Sequence, residues 1–138
     1  MDRLNLGKKV ETASNSPTTY KGGITIKSPQ ELDGMRRAGA IVGAVLALLK
    51  RSVAPGITTK ELDRIAYKEI IRHGALPTFK GYRGFPASIC TSVNEQIVHG
   101  IPGKRVLKKG DIIKVDVGAT LNGLIGDAAI SLAVGEMS

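Results

Sequence analysis

The sequence predicts an α+β fold in which two amphipathic helices pack on an antiparallel sheet. Two apolar stripes with helical spacing occupy the first half of the chain. Two alternating strands, joined by an Asn122-Gly123 turn signal, occupy the last third. Helices and strands that occur in separate runs are typical of the α+β class. The composition, with 42% apolar residues and both charge signs interspersed, is that of a globular protein.

The first helix is predicted to begin at a capping box formed by Ser28 and Glu31, with Pro29 at the first helical position. A short strand over residues 24–26 precedes it. The predicted apolar face of this helix consists of Leu32, Met35, Ala38, Val42, Val45 and Leu49. Its three- and four-residue spacing indicates packing against a sheet.

A second helix follows a type II turn at Pro55 and Gly56. Thr58 and Glu61 repeat the capping-box spacing, and Gly74 is predicted to close the helix. The predicted buried face of this helix consists of Leu62, Ile65, Ala66 and Ile70. Residues 75–103 are rich in glycine and proline and predict loops, interrupted by a short strand over residues 88–92.

Charge and cysteine content narrow the functional classes. Twenty basic against twelve acidic residues give a net charge of +8, which keeps nucleic acid as a candidate partner. The basic segment at residues 104–109 contains no aromatic residue for base stacking, so a solvated loop is the preferred interpretation. One cysteine, Cys90, excludes an internal disulfide and a multi-cysteine zinc site.

We expect residues 1–23 to form a flexible extension and residues 24–138 to form the folded domain, because the first segment has little apolar periodicity. The longest apolar run, residues 38–49, is shorter than the roughly 20 residues that a membrane span requires. The N-terminus also lacks the apolar stretch of a signal peptide. These features predict a cytoplasmic protein with no membrane partner.

Two aspartates in the hairpin need an explanation, because aspartate is depleted in strands and costly to bury alone. With a two-residue loop at Asn122-Gly123, Asp116 lies opposite Ala129 and Asp127 is diagonal to it on the same face. With a loop at Leu121-Asn122, the two aspartates face each other. Either register places two carboxylates together, where a divalent metal ion would relieve their repulsion. Exposed aspartates on a solvated sheet face are the alternative.

Two histidines remain. His99 precedes Gly100 in a loop that also contains Pro102, and imidazole there could bind metal or transfer protons, although a lone loop histidine is more often an ordinary polar residue. His73, at the end of the second helix, is explained by the helix dipole and receives no functional role.

Taken together, these segments resemble type I methionine aminopeptidases over nearly all of residues 24–135. The stretch GYRGFPASICTSVNEQIVHGIP, residues 81–102, resembles the substrate-pocket and catalytic-histidine segment of that family. The stretch GDIIKVDVGATLNGLIGDAAISLAVG, residues 110–135, resembles its metal-binding hairpin. Arg83 departs from relatives that carry histidine, and Ser131 replaces a threonine that often follows the second aspartate.

The resemblance implies the N-terminal half of a pita-bread fold around two divalent metal ions, with cobalt, manganese, iron, zinc and nickel as candidates. It implies that Asp116 and Asp127 are metal ligands and that His99 is a catalytic residue that also contacts substrate. The methionine side chain would be bound by Phe79, Tyr82, Phe85 and Cys90. The implied reaction removes the initiator methionine of nascent chains by metal-activated water. The complete enzyme would be a monomer that could associate with the ribosome.

The resemblance also implies that family members continue beyond the position of Ser138, with a further histidine and two glutamate ligands. After Asp127 this chain offers one glutamate, Glu136. We therefore expect residues 1–138 alone to bind metal weakly and to lack turnover. Two other functions stay open, namely a non-catalytic pita-bread module that binds RNA or protein, and an Xaa-Pro peptidase on the same fold.

Overall fold

A computed structural model describes residues 18–19, 25–26, 28–95 and 100–135. The chain forms two compact units, residues 1–34 and 35–138, and each is described by itself. In the first unit, β1 (Thr18–Thr19) pairs antiparallel with β2 (Thr25–Ile26). Strand β2 lies within the predicted strand at residues 24–26, whereas β1 was not predicted. The proposed extension over residues 1–23 otherwise lies outside the described residues.

The helix α1 (Pro29–Ser52) begins at the predicted capping box. The backbone N–H of Ser28 donates to Glu31 Oε1 at 2.8 Å, and the N–H of Glu31 donates to Ser28 Oγ at 3.1 Å. In the second unit, four residues of the predicted face are buried, namely Ala38, Val42, Val45 and Leu49. The predicted burial of Leu32 and Met35 is wrong, since they are 44% and 36% exposed. Packing of this face by the described residues begins at Ala38.

The helix α2 (Thr59–Arg72) has the expected boundaries. Thr58 Oγ1 accepts from the N–H of Glu61, and Leu62, Ala66 and Ile70 are buried, with Ile65 packed beside them. At the other end Gly74 has φ +77°, and its N–H donates to the carbonyl of Ile71. The N–H of Ala75 donates to the carbonyl of Ile70, which completes a Schellman motif and confirms the predicted stop at glycine.

A four-stranded antiparallel sheet follows, with β5 at its centre. Its strands are β3 (Leu76–Pro77), β4 (Ile89–Val93), β5 (Ile112–Leu121) and β6 (Leu124–Ala133). Because β6 pairs with β5 along its whole length, β3 and β4 share the other edge of β5. The predicted short strand corresponds to β4 and the predicted hairpin to β5 and β6.

The hairpin turn selects one of the two registers left open by the sequence. Leu121 pairs with Leu124, and the intervening Asn122 and Gly123 have φ values of 51° and 81°. Two consecutive positive φ values are those of a type I′ turn, which suits the twist of a β-hairpin. Asp116 therefore pairs with Ala129, and Asp127 with Gly118. The alternative in which the two aspartates face each other directly is wrong.

The core lies between the helices and one face of the sheet. Alternate residues of β5 are fully buried on this face, namely Ile113, Val115, Val117 and Ala119. They belong to one cluster with the buried residues of both helices. This arrangement confirms the α+β prediction. In the part of the chain that the structure describes, no helix combines the length and the apolar character that a bilayer span needs.

Strand β6 lies directly against α1 at Gly126. A Cβ at this position would lie 2.6 Å from the backbone nitrogen of Gly39 and 2.8 Å from the carbonyl carbon of Ala38. We predict that Gly126→Ala lowers the free energy of unfolding by about 1–3 kcal/mol, because backbone atoms cannot move aside without separating strand and helix. Urea unfolding, followed by circular dichroism, measures the change.

Gly43→Ala is the matched control for Gly126→Ala. A Cβ at Gly43 meets no atom within 4 Å, and Gly43 lies within α1. This substitution should raise the unfolding free energy by roughly 0.5–1 kcal/mol through helix propensity. Equal urea midpoints for the two alanine variants would contradict the close packing of β6 on α1.

Candidate functional site

The face of the hairpin opposite the core presents the charged residues. Asp116 on β5 lies between the buried Val115 and Val117, so its side chain projects to the other face. Asp127 projects to the same face, because it pairs with Gly118, which is two residues from Asp116. Asp116 is partly buried and Asp127 is exposed. The register thus places the two carboxylates diagonally across neighbouring strands.

A tight loop over residues 79–86 lies beside this face. The N–H of Gly81 donates to the carbonyl of Phe85 at 2.8 Å, and the N–H of Phe85 donates back to the carbonyl of Tyr82 at 2.9 Å. Gly81 and Gly84 have positive φ, as does Arg83 at 49°. A left-handed arginine is uncommon and indicates a tightly constrained turn. These bonds hold Phe79, Tyr82 and Phe85 on one short loop.

The glycine at position 118 lets this loop approach the sheet. A Cβ on Gly118 would lie 3.1 Å from both Phe79 Cε1 and Thr78 Cβ. The Thr78 N–H donates to the carbonyl of Gly118 at 3.1 Å, which fixes the start of the loop against β5. The aromatic ring of Phe79 therefore lies directly on β5 in the space that any side chain at position 118 would occupy.

Strand β4 forms the adjoining wall. Cys90 is 5% exposed and pairs across the ladder with Asp116. Burial raises the pKa of the Cys90 thiol, and the charge of Asp116 raises it further. The thiol therefore stays neutral and contributes an apolar surface. Asp63 of α2 holds the start of β4, since its Oδ1 accepts from the backbone N–H groups of Ser88 and Ile89 at 2.8 and 3.0 Å.

The loop over residues 79–86, strand β4 and the β5–β6 hairpin together border a cavity of about 740 Å³. Tyr82 and Ile101 are 65% and 60% exposed, so the cavity opens to solvent on that side. Its apolar walls and the two carboxylates form one continuous surface. The lining residues are Phe79, Tyr82, Arg83, Gly84, Phe85, Pro86, Cys90, Ile101, Lys114, Asp116 and Asp127. The structure thus brings together Phe79, Tyr82, Phe85, Cys90, Asp116 and Asp127 of the predicted site.

His99 lies outside the described residues, as do residues 96–98. The described residues on either side of this segment are held firmly. The N–H of Thr91 donates to the carbonyl of Gly100 at 2.9 Å, which places Gly100 beside β4. Ile101, two residues after His99, lines the cavity.

At the other end of that segment, Asn94 joins the end of β4 to the start of β5. Its N–H donates to the carbonyl of Ile112, while its Oδ1 accepts from the N–H of Ile112, both at 2.8 Å. Asn94 Nδ2 also donates to Asp111 Oδ1 at 3.0 Å. The second Asp111 oxygen accepts from the N–H of Lys108 at 2.9 Å. Asp111 is thereby the centre of a hydrogen-bonded cluster with Asn94, Lys108 and Ile112, which we call the latch. The latch fixes the chain before and after the β4–β5 connection.

Comparison with known proteins identifies the family. The model of metallopeptidase family M24 matches residues 33–138. The chain belongs to metallopeptidase family M24. It is 57% identical over 116 residues to the methionine aminopeptidase of Clostridium acetobutylicum and 57% identical over 115 residues to methionine aminopeptidase 1 of Bacillus subtilis. Each match covers 83% of this chain and 46% of the relative, so the chain spans about half the length of these curated relatives.

A solved structure supports the same assignment. The methionine aminopeptidase of Rickettsia prowazekii superposes with a TM-score of 0.79 at 37% identity, covering 82% of this chain and 46% of that one. The chain thus has the fold of about half of a pita-bread aminopeptidase of family M24, which confirms the predicted fold class.

The chemistry of the two aspartates fits part of an M24 metal site. Among the described residues, neither Asp116 nor Asp127 has a hydrogen-bond or ion-pair partner, although both line one cavity. Two unpaired carboxylates on one face form a donor set for divalent cations. The described ranges contain no group of three histidine, cysteine, aspartate or glutamate side chains placed to hold a metal ion. The pair therefore fits as part of a ligand set.

Several residues of this cavity were not among the predicted site residues, namely Arg83, Gly84, Pro86, Ile101 and Lys114 in its lining and Gly118 beneath Phe79. Lys114 lines the cavity, and strand alternation could have found it because it lies two residues before Asp116 on the same face. Ile101 could not have been assigned without knowing that Gly100 pairs with Thr91. Gly118 carries no side-chain signal, and its role becomes visible through the ring of Phe79 that lies over it.

The latch at Asp111 predicts a pH dependence of stability. Hydrogen bonding by Asn94, then by the Lys108 N–H, lowers the pKa of Asp111 below its usual 3.8. A carboxyl with a lowered pKa in the folded state stabilises the fold above the unfolded-state pKa and loses this contribution as pH falls through the folded-state pKa. The difference in unfolding free energy between wild type and Asp111→Asn should therefore be fully present at neutral pH and should decline as the pH falls below 3.8.

Urea midpoints of wild type and Asp111→Asn, measured at a series of pH values, test this prediction. Glu61→Gln removes an exposed carboxylate that pairs with Arg64 on α2 and serves as the control for general charge effects. An advantage of wild type that stays constant from neutral pH into the acid range would contradict the role of ionised Asp111.

Proposed function

We propose that this chain supplies the methionine-binding pocket and two carboxylate metal ligands of a methionyl aminopeptidase, which removes the initiator methionine from nascent proteins. The observation that carries the proposal is the single cavity in which an aromatic pocket and two unpaired carboxylates adjoin. Membership of family M24 and the names of the matched relatives support it.

The pocket side of the cavity binds the methionine side chain. Phe79 and Phe85 are half-buried on the loop at residues 79–86, and Cys90 is a buried neutral thiol on β4. Aromatic rings make favourable contacts with a thioether, and an apolar wall excludes charged first residues. Tyr82, at the open rim, contacts the substrate where it enters. The pocket thus orients the first residue with its peptide bond towards the hairpin face.

The hairpin side holds the metal ions, with Asp116 and Asp127 as ligands. When bound, two divalent ions lower the pKa of a water molecule and polarise the scissile carbonyl. Their number and identity are part of the proposal, and cobalt, manganese, iron, zinc and nickel all suit mixed oxygen and nitrogen ligands. The substrate's first peptide bond lies next to these carboxylates when its side chain occupies the pocket.

His99 is proposed as the catalytic histidine beside the scissile bond, where it would donate to or accept from the substrate. The support is the sequence around it and the fixed neighbours Gly100 and Ile101, of which Ile101 lines the cavity. A histidine suits proton transfer near neutral pH.

The whole-protein assignments extend this proposal. Because the chain spans about half the length of its curated relatives, the remaining ligands are assigned to other parts of the active enzyme. We propose N-terminal methionine peptides of nascent chains as substrates, a cytoplasmic reaction that can take place at the ribosome, and a monomeric complete enzyme. A non-catalytic module and an Xaa-Pro peptidase are less favoured, because the metal-side carboxylates persist and the matched relatives are methionine aminopeptidases.

Loss of either hairpin carboxylate should weaken metal binding. We predict that Asp116→Asn and Asp127→Asn each reduce the affinity for Mn²⁺ by at least roughly tenfold, since an amide oxygen carries no charge to offset that of the cation. Isothermal titration of the metal-free chain with Mn²⁺ measures the constants. Glu61→Gln, which removes an exposed carboxylate from α2, should leave the affinity unchanged. Unaltered binding by both aspartate variants would refute the metal assignment.

The pocket assignment makes a separate prediction. Phe79→Ala should weaken binding of L-methioninamide by roughly five- to tenfold, because loss of the aromatic wall removes on the order of 1 kcal/mol of apolar contact. Chemical-shift titration of methyl-¹³C-labelled ligand measures the affinity. Ile71→Ala truncates an exposed apolar side chain of α2 and is the matched control. If both variants bind as tightly as wild type, the pocket does not bind methionine.

A further inference from the structure

A basic surface unrelated to the cavity is built on a rigid ladder. The connection between α1 and α2 runs antiparallel to residues 103–107, with Thr58 bridged to Val106. Four backbone hydrogen bonds hold the two segments together, from the N–H groups of Gly56, Leu107, Thr59 and Lys60 to the carbonyls of Leu107, Ile57, Arg105 and Gly103. Their lengths are 2.8 to 3.1 Å. The basic segment is therefore a fixed edge of the domain rather than a free loop.

The cations of this segment are exposed. Leu107 is 1% exposed and packs in the core, whereas Val106 is 48% exposed. Lys104, Arg105 and Lys108 lie on either side of Val106 in the sequence and are exposed as well. These three cations and Val106 thus form an exposed row beside the buried Leu107.

The end of α1 adds further positive charge next to this row. A Cβ at Gly135 would lie 3.0 Å from Lys109 Cγ and 3.5 Å from Pro55 Cγ, so Lys109 lies against the start of the connection. Lys50 and Pro55 line a cleft with Gly135. We call the whole set the basic edge, and it consists of Lys50, Lys104, Arg105, Lys108 and Lys109.

The neighbouring carboxylates compensate part of this charge, since Arg105 and Lys108 contribute to lowering the pKa of Asp111. Glu61 pairs with Arg64 at 2.6 Å, and Asp111 is 8% exposed and bonded to Asn94 and Lys108 N–H. Arg105 has one long contact, 3.9 Å from an oxygen of the exposed Glu95. Five cations thus lie on or beside this ladder in a chain whose net charge is +8. Such a concentration is the electrostatic footprint of a polyanion site.

We propose that the basic edge binds the phosphate backbone of double-stranded RNA. Membrane insertion would need an apolar face, and among the described residues of this edge Val106 is the one exposed large apolar side chain. No aromatic residue lies in the row, which argues against base stacking with single strands. Duplex RNA is recognised mostly through its shape and phosphates, for which a row of lysines on a rigid ladder is suited. Binding is therefore independent of sequence.

Fluorescence anisotropy with a labelled RNA duplex of about 20 base pairs tests this, at salt concentrations from about 0.05 to 0.2 M. The logarithm of the association constant should fall linearly with the logarithm of salt concentration. The double variant Lys104→Gln/Lys108→Gln should reduce that slope by about 1 to 2 and weaken binding roughly tenfold at low salt. Arg36→Gln/Lys68→Gln removes the same charge from exposed positions of α1 and α2 and is the matched control.

The proposal is supported if the control variant keeps the affinity and salt slope of wild type while the basic-edge variant loses affinity and has a reduced slope. Equal loss in both variants overturns it, because net charge alone would then account for binding. Wild-type binding that does not respond to salt, or that is unchanged in the basic-edge variant, also overturns it. A fourth arm uses phosphatidylglycerol vesicles at matched phosphate concentration, and preference for them over RNA would identify a membrane surface instead.

Discussion

The alternation of side chains along β5 is the constraint on which the rest of the domain depends. One face of this strand carries Ile113, Val115, Val117 and Ala119 into the core, and the other presents Lys114, Asp116 and Gly118 to the cavity. Because the period of a strand is two, a shift of one residue would bury the aspartate and expose the valines. The free energy of core burial therefore holds the carboxylate of Asp116 on the cavity face.

The sequence could predict most of this arrangement because its signals are local. Capping boxes, the glycine stop and the Asn122-Gly123 turn signal each depend on a few neighbouring residues. The sequence left two hairpin registers open, and the turn in the structure selects the one that sets Asp127 diagonal to Asp116. What it could not predict depends on contacts between distant segments. The exposure of Met35, the pairing of Thr91 with Gly100 and the ring of Phe79 over Gly118 all depend on partners many residues away.

The fixed register of the hairpin also explains why two neighbouring carboxylates stay on the cavity face. Both project from a hairpin whose other face is packed, so neither residue can move to the other face without loss of register. In the absence of a cation their repulsion would oppose folding, and among the described residues no basic side chain pairs with them. A bound divalent ion would attract both carboxylates and offset their mutual repulsion. Metal binding and the stability of the hairpin should therefore be linked.

The ladder between β4 and β5 also explains how Cys90 and the two aspartates keep a fixed separation in the cavity. Cys90, on the wall of the pocket, pairs directly with Asp116 on the hairpin. Asp63 fixes the start of β4 from α2, and Asn94 fixes its end through Asp111 and Ile112. The spacing between Cys90 and the two carboxylates is thus set by hydrogen-bonded strands. The aromatic residues of the cavity lie on the loop over residues 79–86, which is held in turn by its own backbone hydrogen bonds and by the contact of Phe79 and Thr78 with Gly118. Strands and a constrained loop therefore fix the cavity lining together, and rigid elements of this kind hold side chains more accurately than unconstrained loops do.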